Sequence, residues 1–129
     1  MILLVCGPRD FTDSKLLFDV LNGIHNTDGI EEIVCGGAKG ADLLAARWAW
    51  NNSVDLKVVF AKWKEHGKRA GPMRNITMAE YLQGKVGVYE VGVLAVARGT
   101  PGTTGMINQA QNRGIDVRIV PETEQGEGG

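Results

Sequence analysis

Only two cysteines, four prolines and 6% aromatic residues occur in this 129-residue chain. A disulfide-stapled secreted scaffold is excluded by that cysteine count at this length. Cys6 and Cys35 each fall at the C-terminal end of an expected strand, where a buried thiol acts as a small hydrophobe. Long apolar runs are absent, so no segment reads as a membrane span. Charge of one sign is missing as well: 14 basic and 15 acidic side chains leave a net charge of −1. That balance argues against nucleic acid or a membrane surface as the partner. The two histidines, His25 and His66, are far apart, and no His/Cys/carboxylate cluster has metal-ligand spacing. Neither a metal nor a cofactor is expected. The run Met1–Cys6 is too short for a secretion signal and has no basic leader, so a cytoplasmic location is the expectation.

Glycine, by contrast, is plentiful, with 18 residues, and its placement is the most informative feature. Gly36-Gly37-Ala38-Lys39-Gly40 and Gly99-Thr100-Pro101-Gly102-Thr103-Thr104-Gly105 both lie between an apolar run and an amphipathic helix. Two such turns suggest strand ends forming one anion-binding rim, because helix N-termini offer unpaired N–H groups and a positive dipole end.

The rest of the chain alternates strand and helix. Ile2–Cys6 is continuously apolar, as a parallel strand buried on both faces requires. Thr12 or Asp13 caps a helix that carries Leu16, Leu17, Val20, Leu21 and Ile24 on one face. A strand over Ile30–Cys35 leads to a helix from Gly40 to Asn51, with Leu43, Leu44, Ala46 and Trp50 as its apolar positions. Leu56–Phe60 is a third strand. A basic connection from Ala61 to Gly71 precedes a helix that starts at Pro72, a residue favoured in the first turn, and ends near Gly84. Residues 85–90 read as a loop or small hairpin. The strand Val91–Ala97, a helix over Thr103–Arg113 stopped by Gly114, and the strand Asp116–Val120 complete the pattern. Five strands and four helices define one α/β domain over 1–120, a doubly wound parallel sheet with helices on both faces. The acidic, glycine-rich stretch 121–129 reads as a disordered tail.

Ligands of such sheets bind beyond the carboxyl ends of the strands, which selects four loops. In Gly7-Pro8-Arg9-Asp10, the glycine permits close approach, Arg9 offers a planar donor fork, and Asp10 can accept from a ribose hydroxyl. Pairing of Arg9 and Asp10 with each other or with neighbouring backbone is the plainer alternative. The loop Gly36–Asp42 lacks both the Walker-A and the GxGxxG spacing. Gly36, Gly37, Lys39 and Gly40 can still open a helix N-terminus onto a phosphate, while Asp42 serves either as a dipole-complementing cap or as a ligand contact. The third loop, Lys62–Asn75, is the most basic stretch. It is either a solvated face or a site in which Trp63 stacks on a base and Arg74, beside Asn75, clamps a phosphate. In the fourth, Thr103 and Thr104 add hydroxyls to the amides after Gly99, Thr100 and Gly102.

Taken in this order, Gly7-Pro8-Arg9-Asp10-Phe11, Gly36-Gly37-Ala38-Lys39-Gly40-Ala41-Asp42, Trp63 with Gly67, Ala70–Asn75, and Gly102-Thr103-x-x-Met106 resemble the SLOG superfamily. The likeness is strongest to its small YspA-like branch, and it implies a Rossmann-like nucleotide-binding fold. The lonely-guy phosphoribohydrolases of that superfamily cleave nucleoside monophosphates with a Pro-Gly-Gly-x-Gly-Thr-x-x-Glu motif and an upstream arginine. Arg74 matches that arginine. The catalytic glutamate falls on Met106, and methionine can neither handle a proton nor stabilise an oxocarbenium-like centre.

The resemblance therefore implies a protein that senses or sequesters a nucleotide-derived molecule of ADP-ribose type, and a homodimer, for which Trp48 and Tyr81 are interface or core. A hydrolase is the alternative and would need another carboxylate, with Asp10, Asp42 and Glu80 as candidates. Single-stranded nucleic-acid binding is a third reading. It rests on six basic residues and one acidic residue between Lys57 and Arg74.

Overall fold

Strand β1 (Ile2–Cys6) lies at the centre of a five-stranded, all-parallel sheet of order β3-β2-β1-β4-β5. The structure, a computed structural model, describes residues 1–97 and 100–121. The other strands are β2 (Glu32–Cys35), β3 (Asp55–Val58), β4 (Val91–Ala97) and β5 (Val117–Pro121). The β1–β2 register aligns Ile2 with Glu32, and the β1–β4 register aligns Ile2 with Val91. Strand order reverses between β1 and β4, so a crevice opens there at the carboxyl ends.

Pleating sends alternate β1 residues to opposite faces. Leu3 and Val5 join a cluster with Leu17, Leu21 and Ile24 of helix α1 (Ser14–Asp28) and Ala45, Trp48 and Ala49 of α2 (Ala41–Asn51). Ile2, Leu4 and Cys6 join a second cluster with Met78, Ala79 and Leu82, and with Met106 and Ala110. Those residues come from two helices on the other face, α4 (Ala70–Gln83) and α5 (Pro101–Asn112). The expected doubly wound α/β arrangement is thus the one observed. Both thiols are buried and unpaired.

Local chemistry sets the element ends. Asp13, rather than Thr12, caps α1 by accepting from the Leu16 N–H at 3.1 Å, and Gly114 follows α5 with φ of 71°. Several boundaries differ from expectation. The basic connection contains a short helix α3 (Trp63–His66) and a 3-10 turn (Gly67–Arg69) that runs directly into α4, which begins two residues before Pro72. Helix α5 begins at Pro101, so most of the fourth glycine turn is already helical. Residues 85–90 form turns in which the Val88 and Tyr89 N–H groups donate to the Lys85 carbonyl. Strand β5 runs on to Pro121, and proline is tolerated there because β5 is an edge strand. The remainder of the expected tail lies outside the described residues.

Helix α2 shows the largest correction. Its inner face is Ala41, Ala45, Trp48 and Ala49, whereas Leu43 and Trp50 point outward, Trp50 being 85% exposed. Small residues win the inner face because α2 closes tightly on β1: a Cβ on Gly7 would lie 2.8 Å from that of Ala41. Trp48 is core, its indole donating to Asn22 Oδ1 at 2.8 Å and meeting His25 edge-on. Tyr81 is half-buried and donates to Glu32 Oε1 at 2.6 Å.

Candidate functional site

A cleft of about 670 Å³ opens at the carboxyl ends of the strands, lined by residues of the β1 loop, the β2–α2 loop, α3, α4 and the start of α5. Gly7, Pro8, Arg9, Asp10, Asp42, Trp63, Arg74, Asn75, Thr100, Gly102 and Thr103 come together in it, so all four sequence-selected loops contribute to its wall. Gly36, Gly37, Lys39, Gly40 and Thr104 are not on that wall, and Gly99 lies outside the described residues.

The glycines of the β2–α2 loop pack closely against their neighbours. Gly40 has φ of 78°, and a Cβ there would come 2.2 Å from the Pro8 carbonyl oxygen. Only glycine lets this loop lie against the β1 loop. Gly37 faces the Phe60 ring instead of the cleft, and Lys39 is exposed.

Asp42, in the first turn of α2, ties this loop to the helix. Its Oδ2 accepts from the Gly36 N–H at 3.0 Å and the Ala38 N–H at 3.3 Å. The side chain is 6% exposed and lines the cleft floor. Burial pushes its carboxyl up from 3.8 to about 6; the Ala38 N–H, Arg74, the Gly36 N–H and Arg9 act in the opposite direction. Asp42 is therefore a loop clamp that also lines the cleft.

Arg74 sits on α4 opposite this loop. It donates from Nη1 to the Gly36 carbonyl at 2.7 Å and from Nε to Asn75 Oδ1 at 3.2 Å. Part of its donor fork is thus committed to holding the protein together, and the residue also lines the cleft. Asn75, 6% exposed, passes the connection on by donating to the Gly102 carbonyl at 3.2 Å.

At the start of α5, Thr100 is the N-cap residue but makes no capping hydrogen bond; its hydroxyl donates to Thr103 Oγ1 at 2.9 Å. Pro101 has no N–H, and the Thr104 N–H donates to the Thr100 carbonyl. The N–H groups of Gly102 and Thr103 have no acceptor among the described residues. They form a small positive pole in the cleft wall.

The Arg9 guanidinium lies 5.9 Å from the centre of the Trp63 ring, which ties the β1 loop to α3. Of the basic stretch, Lys68 also reaches the cleft, while Lys57 turns away to lie over the Tyr81 ring. Met106 is 1% exposed and contributes an apolar surface to the cleft wall. Gln109 lines the same wall and was not singled out from the sequence. Its spacing of four from Gly105, on one helix face, is the signal that identifies it. Glu80 is exposed and off the cleft.

Parallel strands in the order 3-2-1-4-5 with a cleft at the switch point define a Rossmann-like α/β domain. The chain belongs to the YspA, cpYpsA-related SLOG family, whose model matches residues 1–66. It is also 33% identical over 121 residues to the Gene 61 protein of Mycobacterium phage D29, an alignment covering 89% of this chain and 92% of the phage protein. Membership in this family is consistent with nucleotide-related binding or processing. No helix among the described residues is long and apolar enough to cross a membrane.

Proposed function

We propose that the cleft captures a nucleotide or nucleotide-derived signalling molecule, of ADP-ribose type, and that the protein senses or sequesters it. The observation that carries this reading is the uncapped first turn of α5, opening into a cleft that also holds Trp63, Arg9, Lys68 and Arg74. A phosphate is matched by the Gly102 and Thr103 amides together with the exposed cations Arg9 and Lys68. A base is matched by the half-exposed indole of Trp63, which already carries a planar cation on one side.

The test is a thermal-shift panel of AMP, ADP, NAD, ADP-ribose and cyclic or oligomeric nucleotides on the full chain. A ligand present at a hundred times its Kd adds about 2.7 kcal/mol of stability, a shift of several degrees at this size. Arg9→Ala and Lys68→Ala are the informative variants, because both side chains are exposed. Arg74→Ala would also release the Gly36 carbonyl. A shift weakened in these variants supports the reading; no shift with any nucleotide overturns it.

A further inference from the structure

The Asp42 carboxylate uses one oxygen and leaves the other unused. Oδ2 takes both backbone N–H groups, and Oδ1 accepts no hydrogen bond among the described residues. No buried side-chain oxygen or nitrogen among them lacks a partner, so Oδ1 is not sealed off; it meets the cleft. An acceptor fixed at the floor of a cleft calls for a hydrogen-bond donor on whatever fills it. A phosphate is a poor match there, being repelled by the carboxylate and mostly unprotonated at neutral pH.

Strand order says which part of a nucleotide lies over it. Along the rim the order is β3, β2, β1, β4. Trp63 follows β3, Asp42 follows β2, and the α5 amides follow β4. The strand ends of this row are three interstrand spacings, about 14 Å, apart, and Trp63 leans inward from its end to meet Arg9 of the β1 loop. With the base at Trp63 and the phosphate at α5, the group in between is the sugar.

On the reading that the cleft holds a nucleotide, we propose that Asp42 reads a sugar hydroxyl, so that the site selects ribonucleotides over their deoxy counterparts. The two backbone N–H groups on Oδ2 fix the carboxylate in place at the floor. Asp10 also lines the cleft, but at its exposed rim.

Asp42→Asn separates the two duties of the residue. An asparagine oxygen still accepts from Gly36 and Ala38, while the amide nitrogen places a donor where Oδ1 was. Calorimetry on the full chain compares AMP, 2′-deoxy-AMP and 3′-deoxy-AMP, with the same series for GMP, against wild type, Asp42→Asn and Asp10→Asn. Wild type is expected to bind a ribonucleotide at least tenfold tighter than one of its deoxy forms, about 1.4 kcal/mol. Asp42→Asn brings that ratio to within twofold and keeps binding of the deoxy form, and Asp10→Asn leaves the ratio intact. Equal binding of ribo and deoxy forms to wild type overturns the inference while leaving nucleotide capture standing. Loss of the ratio in Asp10→Asn in place of Asp42→Asn overturns it too. Absence of all nucleotide binding overturns both. Should Asp42→Asn fail to fold, the wild-type ratio and its persistence in Asp10→Asn decide together.

Discussion

Arg74 closes on Gly36 so tightly that a Cβ at residue 36 would lie 2.2 Å from Arg74 Nη1 and 2.7 Å from Cζ. The contact joins α4 to the β2–α2 loop, and a Cβ at residue 36 would push the guanidinium off the Gly36 carbonyl. Gly36→Ala should cost about 1.5–3 kcal/mol, the worth of the charge-assisted hydrogen bond from Arg74 that the Cβ would displace. In an Arg74→Ala background the same change should cost at least 1 kcal/mol less, since the obstructing group is gone. Urea denaturation of the two single variants and the double variant measures that coupling; strict additivity would refute it.

Gly40 and Gly29 provide a matched pair. Both have positive φ, 78° and 73°, but a Cβ at 40 meets the Pro8 and Arg9 backbone whereas one at 29 meets nothing within 4 Å. Gly29→Ala should cost about 1 kcal/mol, the conformational term alone. Gly40→Ala should cost about 3 kcal/mol or more, and equal midpoints in denaturant would show that the loop yields.

Asp42 makes stability depend on pH. Its carboxyl takes up a proton at about pH 6 in the folded chain, against an ordinary value of 3.8. The unfolded chain therefore ionises first as pH rises from about 4 to about 6, and the fold loses stability across that window. At ~1.4 kcal/mol per pH unit, wild type should fall by about 3 kcal/mol relative to Asp42→Asn, with the difference level above pH 7. Denaturation midpoints from pH 3.5 to 7.5 would show it.

The thiols should be inert. Burial pushes Cys6 up to about 12 and Cys35 to about 11, from 9.0. Near pH 8 the thiolate population of Cys6 is about a thousandfold below that of an ordinary cysteine. An aromatic disulfide reagent should label neither residue in the native state and both in denaturant. Rapid native labelling would contradict the packing.

Much of this architecture was legible in the sequence, and the reasons are physical. The unbroken apolar β1, the three-and-four spacing of α1 and the glycine after α5 each express one strong local rule, and local rules survive folding. The cleft loops were legible because parallel strands must end at one rim. What Arg74 touches was not, since 38 residues separate it from Gly36 and no local pattern encodes that meeting. Leu43 and Trp50 misled because apolar identity cannot say which helix face meets the sheet when alanine is the better fit. The short helix at Trp63 was hidden by its basic composition.

Strand β1 pairs with β4 from Ile2↔Val91 onward, and the cleft draws its walls from segments before and after that pairing. No contiguous fragment holds a finished pocket. Occupancy and global folding are therefore one linked equilibrium: a molecule bound here resists unfolding of the entire sheet, and a partly opened sheet has nothing left with which to hold it.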